Sequence, residues 1–388
     1  MSELSYLEKL LDGVEVEWLP LGHIAAIKTG QSVNKNMISK NPGVYPVINS
    51  GREPLGFINT WNTDNDPIGI TTRGAGVGSV IWQEGKYFRG NLNYSITIDK
   101  KNHINIRYMY HALLHMKNDI HELCTFDGIP ALNAGSLKKL LIPIPCPDNP
   151  EKSLAIQSEI VRILDKFTEL TAELTAELTA EITMRKKQYN YYRDQLLSFK
   201  EGEVERKTLG TFADNFDSLR KPITSGLREA GNIPYYGASG IVDYVKDYIF
   251  DDDLLLISED GANLIARNTP IAFSISGKTW VNNHAHVLKF KNHTEQKFVE
   301  YYLNNINLTP YISGAAQPKL NKKNLESIRI PNPSLKEKER IVTILDKFDT
   351  LTNSITEGLP REIELRQKQY EYYRDLLFSF PKPKTVSN

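Results

Sequence analysis

Two sets of side chains have the types and spacing of catalytic or metal-binding groups. Asp66 and the run Glu84-Gly85-Lys86 could form an acid pair of the kind nucleases use, but such spacings arise by chance in most chains of this length. His111 and His115 stand one helical turn apart, with His121 nearby. Zinc enzymes with this spacing carry a glutamate base between the histidines, whereas Ala-Leu-Leu lies here. We therefore expect ordinary helix histidines and no catalytic acid pair.

Signatures of phosphate binding and methyl transfer are weak or absent from the sequence. The run from Gly74 to Gly78 could approach a phosphate, but a glycine-rich turn between strands is the simpler explanation. His284 and His286 alternate on a predicted strand, and we cannot locate further metal ligands for them. The sequence has no Walker-type loop and no Asn-Pro-Pro-Tyr/Phe tetrapeptide of adenine methyltransferases. We therefore predict a non-catalytic chain without a metal.

The composition is that of a soluble globular protein with two or three domains. The 388 residues are 40% hydrophobic and 24% charged. Cys124 and Cys146 are too few for a disulfide framework, which fits a reducing cytoplasm. No apolar run approaches the roughly 18 residues of a membrane span. The 47 basic and 47 acidic residues cancel, which argues at first sight against a nucleic-acid-binding protein.

The sequence contains one two-part module twice. IVRILDKF at 160–167 returns as IVTILDKF at 341–348, an offset of 181 residues. RKKQYNYYRDQLLSF at 185–199 returns as RQKQYEYYRDLLFSF at 366–380, again at 181. The segments before these blocks match only faintly. The order is therefore variable domain, repeated helix, variable domain, repeated helix.

The repeated segments are predicted to be long helices. Between Ser153 and Phe199 no Pro or Gly occurs, and apolar residues recur every three or four positions, which is typical of a coiled-coil seam. Such a helix of about 45 residues spans roughly 65 Å and must bury its apolar stripe against a partner. The C-terminal copy is the obvious partner, and a pseudo-twofold arrangement would make the two antiparallel. Gly358 and Pro360 predict a break in that second copy.

The first helix contains the repeat TELTAELTAELTAEI at 168–182. A plain amphipathic helix would explain it, because a period of four is close to 3.6 residues. Four residues also rise about 6 Å, close to two base pairs of B-DNA at about 3.4 Å each. Taken as a spacer, the repeat would be a ruler whose number of units sets the distance between the variable domains.

The segments between the helices are predicted to be two mixed domains. Short apolar or β-branched runs, such as IGITT at 68–72 and LLLIS at 254–258, are bounded by Gly, Asn, Asp and Pro and indicate strands. One helix is predicted in each domain, at 104–118 and 295–305, and a shorter helix, at 134–140 or 322–327, precedes a proline-rich exit. The predicted fold class is α+β, with two mixed α/β domains separated by two long helices that form an antiparallel, pseudo-twofold symmetric coiled coil.

The Gly- and Asn-rich turns of both domains carry side chains suited to DNA. Arg and Lys match guanine, Asn and Gln match adenine, and hydroxyls match phosphates. A solvated loop residue is the alternative reading of each position. The candidates in the first domain are Lys28, Gln31, Asn49, Ser50, Arg52, Thr72, Arg73, Arg89 and Asn91. The candidates in the second are Arg220, Lys221, Tyr235, Tyr236, Ser239, Asn263, Arg267, Lys278, Asn282, Asn283, Gln317 and Lys319.

The two helix ends carry the same aromatic and basic side chains. They can dock another protein subunit, or they can simply pack against the neighbouring domain, and the sequence leaves both open. The candidate docking residues are Tyr189, Tyr191, Tyr192, Arg193, Tyr370, Tyr372, Tyr373 and Arg374.

This arrangement resembles the specificity (S) subunit of type I restriction–modification systems over the whole chain. The resemblance is carried by the duplicated LDKF and QYxYYRD blocks, by the TAEL run and by the opening MSELSYLEKLLDGVEVEWLPLG, which is similar to the type IC branch in particular. The variable domains match in layout alone. The resulting boundaries are 1–150 for a first target recognition domain (with a short conserved segment at 1–22), 151–201 for the central helix, 202–334 for a second target recognition domain and 335–388 for the C-terminal helix.

The resemblance implies function and partners. In that family each target recognition domain reads one half of a split double-stranded DNA site, and the antiparallel helices set the gap. Two methylation (M) subunits dock on the helical region and carry S-adenosylmethionine, and motor/nuclease (R) subunits use ATP and Mg²⁺. This chain is then expected to hold no cofactor and to meet no membrane.

Two rival functions remain open at this point. The first is an autonomous site-specific DNA methyltransferase or nuclease, which would turn over DNA alone. The second is a structural coiled-coil scaffold, which would not select DNA sequences at all. The charge balance holds within each recognition domain as well. Residues 1–150 carry 14 basic and 14 acidic side chains, and residues 202–334 carry 15 of each. We therefore expect weak DNA binding and poor solubility for the chain alone.

Overall fold

The computed structural model describes residues 6–51, 53–314, 317–354 and 356–381, and it divides into two units. Unit 1 consists of Met1–Ala176 and Ile363–Asn388, and unit 2 consists of Glu177–Glu362. The long central helix contributes its first part to unit 1 and its second part to unit 2. Each unit therefore contains one mixed domain and two helical segments.

The mixed domain of unit 1 is built on two four-stranded sheets. They have the strand orders β2-β9-β6-β7 and β4-β3-β8-β5, and β1-β12 and β10-β11 form two-stranded ribbons. The elements are α1 (Tyr6–Leu11), β1 (Val16–Pro20), α2 (Leu21–Ile24), β2 (Ala25–Thr29), α3 (Lys35–Lys40), β3 (Pro42–Ile48), β4 (Phe57–Ile58), β5 (Thr63–Asp64), β6 (Ile68–Thr71), β7 (Val80–Trp82), β8 (Lys86–Arg89), β9 (Asn93–Ile98), α4 (Ile106–His115), α5 (Lys117–Glu122), β10 (Cys124–Thr125), β11 (Ala131–Leu132), α6 (Ala134–Leu137) and β12 (Leu141–Pro145).

The mixed domain of unit 2 follows the central helix α7 (Pro150–Leu196) and repeats the same plan. Its sheets have the orders β14-β21-β18-β19 and β16-β15-β20-β17, and β13 pairs with β22. The elements are β13 (Arg206–Thr208), β14 (Ala213–Asn215), β15 (Ala230–Gly237), β16 (Gly240–Val245), β17 (Phe250–Asp251), β18 (Leu254–Ser258), α8 (Asn263–Ala266), β19 (Ala272–Ile275), β20 (Lys278–Val281), β21 (Ala285–Phe290), α9 (His293–Asn305), α10 (Lys322–Ser327), β22 (Arg329–Pro331), α11 (Leu335–Asn353) and α12 (Leu359–Leu377).

The two domains share one topology in their four-stranded sheets and in the β1–β12 and β13–β22 pairs. In each, a central strand of one sheet pairs antiparallel on both sides: β9 pairs with β2 and β6, and β21 pairs with β14 and β18. The second sheet of each contains one parallel pair, β3 with β8 and β15 with β20. The core of each domain lies between sheet and helix. The strands β6 and β18 belong to it and are buried along their whole length. The predicted mixed α/β fold of both domains is confirmed.

The helical segments pair in antiparallel order within each unit. In unit 1 the ring of Phe167 stacks on that of Tyr373 with centroids 4.7 Å apart, and Leu164 shares a buried cluster with Leu377. In unit 2 the rings of Tyr189 and Tyr192 lie 6.3 and 5.7 Å from that of Phe348. The early part of α7 thus pairs with α12, and its late part pairs with α11.

The second helical copy is broken where the sequence predicts a break. The helix α11 ends at Asn353 and α12 begins at Leu359. A Cβ atom on Gly358 would lie 2.3 Å from the carbonyl oxygen of Thr350, so only glycine allows this close return of the backbone. Pro360 then sits in the first turn of α12, where a missing N–H costs nothing.

Three helix boundaries differ from the sequence prediction. The segment 104–118 holds two short helices, because α4 ends at His115 and α5 begins at Lys117. The segment 134–140 contains only the single turn Ala134–Leu137. The central helix begins at Pro150, a residue that suits the first helical turn, and ends at Leu196. Among the described residues, no helix combines the length and apolar character needed to cross a membrane.

Candidate nucleic-acid interface

One end of the mixed domain in unit 1 is assembled by five backbone hydrogen bonds between loops. The N–H groups of Gln31, Gly90, Thr72, Leu132 and Gly74 donate to the carbonyl oxygens of Arg89, Ile48, Leu92, Thr72 and Pro130, at 2.7–3.0 Å. These bonds bring together the turns that follow β2, β3, β6 and β8 and the β10–β11 hairpin. Most of the predicted DNA-contact residues of this domain lie on these turns.

The same end of the domain in unit 2 is assembled by five equivalent bonds. The N–H groups of Lys221, Asn282, Glu259, Leu320 and Gly261 donate to the carbonyl oxygens of Val281, Tyr236, His284, Glu259 and Pro318, at 2.7–3.3 Å. Each donor and acceptor matches its unit 1 counterpart in strand and turn. Both domains therefore present one backbone frame, which we call the loop frame.

The side chains on the two loop frames differ even though the backbone does not. Arg73 in unit 1 is replaced by Asp260 in unit 2, and Ala131 is replaced by Lys319, as the equivalent bonds align them. Asn91 and Asn283 are the same at the tip of the turn, and both are exposed. A fixed frame with exchangeable side chains suits two surfaces that read different sequences.

Of the eleven predicted contact residues that are exposed, ten lie on the loop frames or directly beside them. Their polar or basic side chains are of the types that contact a groove or a phosphate, and Lys319 also pairs with Glu259. Those of unit 1 are Lys28, Gln31, Ser50, Arg73 and Asn91, and those of unit 2 are Lys221, Ser239, Asn283, Gln317 and Lys319. Arg52 was also predicted and lies outside the described residues.

The buried side chain of Arg89 connects the two sheets of its domain by hydrogen bonds. Its side chain is 3% exposed, and its guanidinium donates to Asn93 Oδ1, to the carbonyl oxygens of Tyr94 and Asp66 and to the Tyr87 hydroxyl. A Cβ atom on Gly69 would lie 3.0 Å from Arg89 Nη1, so glycine leaves space for the Arg89 side chain. Burial lowers the pKa of Arg89. Its sequence-based assignment to the DNA surface is not compatible with this position.

Two further candidates of unit 1 also hold the frame from inside. Asn49 is half-buried, and its Oδ1 accepts the N–H of Leu92 at 2.9 Å, which fixes the turn between β8 and β9. Thr72 is 8% exposed and uses both backbone groups in the loop frame. Position near a turn predicted these residues correctly as neighbours of the surface, but their polar atoms are engaged internally.

Three candidates of unit 2 are occupied in the same way. Tyr235 is fully buried, and its hydroxyl accepts the N–H of Ile223 at 2.9 Å. Asn282 is 7% exposed, with its Oδ1 bound to the N–H of His284. The guanidinium of Arg267 donates to the carbonyl oxygens of Leu303, Asn304 and Ile306, and so caps the C-terminus of α9.

Three other candidates of unit 2 do not offer an exposed polar side chain on the loop frame. Asn263 is half-buried and binds both backbone groups of Thr269. Tyr236 is half-buried beside Phe273. Lys278 is exposed but sits at the opposite end of β20 from the loop frame, over the ring of Tyr248.

A charged network lies under the loop frame of unit 2. His286 Nδ1 and Nε2 face Asp217 Oδ2 and the carbonyl oxygen of Leu320, each at 2.6 Å. Arg220 Nη1 donates to Glu259 Oε2 at 2.6 Å, and Lys319 Nζ lies 3.1 Å from Glu259 Oε1. Burial is the largest influence on the Asp217 pKa and acts to raise it, but the hydrogen bond and charge of His286, the N–H of Val287 and the charge of Arg220 together hold that pKa below its usual value.

This network explains a cluster whose ligand atoms could suit a metal ion. One atom each from Asp217, Glu259 and His286 lie within 4.8 Å of one another. Both nitrogens of His286 already face oxygen atoms at 2.6 Å, so neither is free to bind a metal ion. Arg220 and Lys319 already neutralise the two carboxylates. The cluster therefore fits an ion-pair network that ties loops together, which also places Arg220 beneath the surface.

The other histidines and the acid pair are separated in the structure. His111 faces Asp165 and His115 faces Asp375, so the two rings serve different contacts. Asp66 accepts a hydrogen bond from Thr97, whereas Glu84 accepts one from the ring N–H of Trp82. The run from Gly74 to Gly78 forms the turn after β6, as expected for a strand turn.

The sequence candidates were all polar or basic, except for the tyrosines, and so missed apolar side chains on the same surface. Phe126 and Ile129 in the β10–β11 hairpin of unit 1 are 51% and 62% exposed. Ile129 stands where unit 2 has Gln317, because Pro130 and Pro318 are equivalent in the frame. Apolar groups can contact the thymine methyl. Extending the repeat alignment three residues upstream from Leu132 would have found Ile129.

The predicted docking residues of the helix ends divide into a packed set and an exposed set. Tyr189, Arg193, Tyr370, Tyr373 and Arg374 are half-buried, with Tyr189 and Tyr373 in the aromatic contacts between helices. Tyr191 and Tyr372 are 62% and 64% exposed, and Tyr192 is 46% exposed. Tyr191 and Tyr372 occupy the same position of the repeat, so each unit exposes one matching tyrosine.

Comparison with known proteins gives one consistent result. The family model described as type I restriction modification DNA specificity domain matches residues 13–184 and 201–365. The chain is 43% identical to the Escherichia coli EcoR124I/EcoR124II type I restriction enzyme specificity subunit, with all of both chains covered. It is 39% identical to the E. coli EcoprrI specificity subunit over 92% of this chain and 93% of that one.

Solved structures with similar folds have low sequence identity. The S subunit of a type I restriction–modification system from M. genitalium is 20% identical, with a TM-score of 0.50 over 96% of this chain and 98% of that chain. A chain from a study of complex assembly and conformational transition in the type I R-M system is 14% identical, with a TM-score of 0.60 over 94% and 97%.

Proposed function

The chain belongs to the type I restriction modification DNA specificity family and is a specificity subunit, and from this premise we propose that it reads a two-part DNA site through its two loop frames. Each frame reads one half of the site. The chain catalyses no step itself, and the rival readings as an autonomous enzyme or a bare scaffold are not favoured. The proposal places the protein in the cytoplasm, where its DNA lies.

The observation that carries this proposal is the repeated loop frame with different side chains. Five equivalent hydrogen bonds build the same surface in each unit, while Arg73 is exchanged for Asp260 and Ala131 for Lys319. Arginine in a major groove prefers guanine, whereas a carboxylate accepts from cytosine. Two such surfaces would read unrelated half-sites, so the whole site would be asymmetric.

The helices supply the spacing in this proposal. The boundary between the units falls between Ala176 and Glu177, inside the TAEL repeat. One unit of that repeat adds about 6 Å to a helix, close to two base pairs. The domain boundaries we adopt are 1–150, 151–201, 202–334 and 335–388, with the helical segments as the spacer.

The exposed tyrosines mark the docking site of the catalytic subunits. Tyr191 and Tyr372 present one matching aromatic face in each unit, and large aromatic side chains are frequent anchors at protein interfaces. Two copies of a methylation subunit would bind there, bringing S-adenosylmethionine. Motor/nuclease subunits with ATP and Mg²⁺ would complete the restriction complex.

One substitution on each loop frame tests the proposal. We expect Arg73→Gln to change the bases preferred in one half of the methylated site and to leave the other half unchanged, with a loss of about 1–3 kcal/mol in discrimination. Lys319→Gln should affect only the other half. The measurement is adenine methylation mapping in cells that contain the partner subunits.

Lys278→Gln is the matched control, because Lys278 is also exposed but lies away from the loop frame. It should leave the mapped sequence unchanged. If Arg73→Gln and Lys319→Gln altered the same half of the site, or if Lys278→Gln altered either half, the assignment of the two frames would be wrong.

A further inference from the structure

The duplicated helix makes a buried polar contact to its domain at the same repeat position in each unit, but with different chemistry. Gln157 is fully buried, and its Oε1 accepts the backbone N–H of Asn105 at 2.9 Å. The residue 181 positions later is Lys338. It is 2% exposed, and its Nζ donates to Glu295 Oε1 at 3.2 Å and to Asn332 Oδ1 at 2.7 Å.

A second contact, eight residues along each helix, has the same anchor in both units. Asp165 Oδ1 accepts hydrogen bonds from Arg107 Nε at 2.9 Å and His111 Nε2 at 2.8 Å. Asp346 Oδ1 accepts one from the Tyr301 hydroxyl at 2.5 Å. Both aspartates belong to the repeated LDKF blocks, so this contact holds α4 or α9 to its helix without distinguishing the two domains.

The partners on the domain side correspond in the same way. RYMYHALL at 107–114 aligns with KFVEYYLN at 297–304 at an offset of 190. This alignment makes Asn105 the equivalent of Glu295. The first contact therefore differs in kind between the units, because Gln157 meets the backbone N–H at position 105 whereas Lys338 meets the side chain of Glu295. A neutral amide meets a neutral backbone group in unit 1, and an ammonium meets a carboxylate in unit 2.

Mixing the two contacts would bury an unmatched group. A lysine at 157 would meet Asn105, which offers no charge, and would leave the Asn105 N–H without its acceptor. A glutamine at 338 would leave Glu295, whose side chain is 20% exposed, without its cation. Removing one partner of a buried charged pair is far more damaging than replacing both.

We propose that residues 157 and 338, with their partners Asn105 and Glu295, form a pairing code by which each helix accepts and positions its own recognition domain. The shared aspartates hold each domain to its helix, and residues 157 and 338 with their partners determine which domain packs correctly. A second-domain module placed before α7 would need Gln157→Lys to seat correctly. The consequence for DNA reading rests on the proposed function, but the code itself is a property of the packing.

Paired substitutions in the full-length chain test the code. Gln157→Lys should lower the unfolding midpoint, and Asn105→Asp should restore most of the loss, because aspartate supplies a carboxylate and still caps α4. In unit 2, Lys338→Gln should be damaging alone and should be rescued by Glu295→Gln. Each pair forms a double-mutant cycle with non-additive unfolding energies.

DNA modification gives the second readout. In cells with the partner subunits, Gln157→Lys should reduce methylation at the mapped site by about ten-fold, a change of about 1.4 kcal/mol, and Asn105→Asp should restore it. The mapped sequence should not change, because the code positions the domain and does not touch bases. Arg162→Thr is the control, since the repeats also differ there but the Arg162 side chain is 68% exposed.

The outcomes separate the code from the proposed function. Additive unfolding energies in both cycles, or an Arg162→Thr effect as large as that of Gln157→Lys, would overturn the code. If the cycles are coupled while the wild-type chain directs no methylation to a two-part site, the code stands and the proposed function fails.

Discussion

At the scale of single residues, burial decides which polar groups hold the fold and which face outward. Burial lowers the pKa of His111 below its ordinary value of 6.5, although the hydrogen bond to Asp165 acts in the opposite direction. The folded chain therefore favours the neutral ring, whereas the unfolded chain takes up a proton more readily below that value. The stability linked to His111 is complete above pH 6.5 and is lost as the pH falls.

We predict that His111→Gln removes this acid sensitivity. The glutamine amide can still donate to Asp165, so the variant should lose on the order of 1 kcal/mol at pH 7.5. Wild type should lose more stability than the variant between pH 7.5 and 5.5, measured as the shift in denaturant midpoint. Parallel loss in both proteins would show that another group carries the acid response.

Residue type and position near a turn selected ten residues that are exposed on or beside the loop frames, and their contact with DNA stays a prediction. Exposed residues such as Asn91, Asn283 and Arg73 lie where the sequence indicated. Arg89 and Tyr235 were not separable from them by sequence, because a side chain at a strand end can point to solvent or between two sheets. That choice depends on what the facing sheet offers, here Asn93 for Arg89 and the Ile223 backbone for Tyr235.

At the scale of elements, strong local patterns were predictable and weak ones were not. The strand Leu254–Ser258 matches its apolar run residue for residue, and the break before Leu359 follows from Gly358 and Pro360. The division of 104–118 into two helices was missed. Its sequence carries no Pro or Gly, and Met116, which separates the two helices, is buried in the core.

The ruler is an element-scale property, and deletion of residues 175–178 tests it. Removing one TAEL unit shortens the helix by about 6 Å and turns it by about 1.1 turns, so the apolar seam stays nearly aligned. We expect the mapped spacer to shorten while both half-sites stay the same. Deleting Ala176 alone turns the helix by about 100° and should abolish methylation. Altered half-sites after the four-residue deletion would refute the ruler.

At the scale of the whole molecule, neutrality divides the work between this chain and its partners. Each recognition domain has equal numbers of acidic and basic residues, so non-specific attraction to phosphates is small. Under the proposed function, local basic groups such as Arg73 and Lys319 would then serve recognition more than affinity. Partner subunits would contribute much of the DNA affinity, and this chain would determine which sequence is bound.

The mapping of methylated adenines in cells with the partner subunits, with and without this chain, tests that account most directly. We predict that one asymmetric sequence, made of two half-sites separated by a fixed spacer, is methylated only when this chain is present. Methylation of the same sequence without the chain, or of one continuous sequence with it, would contradict the account.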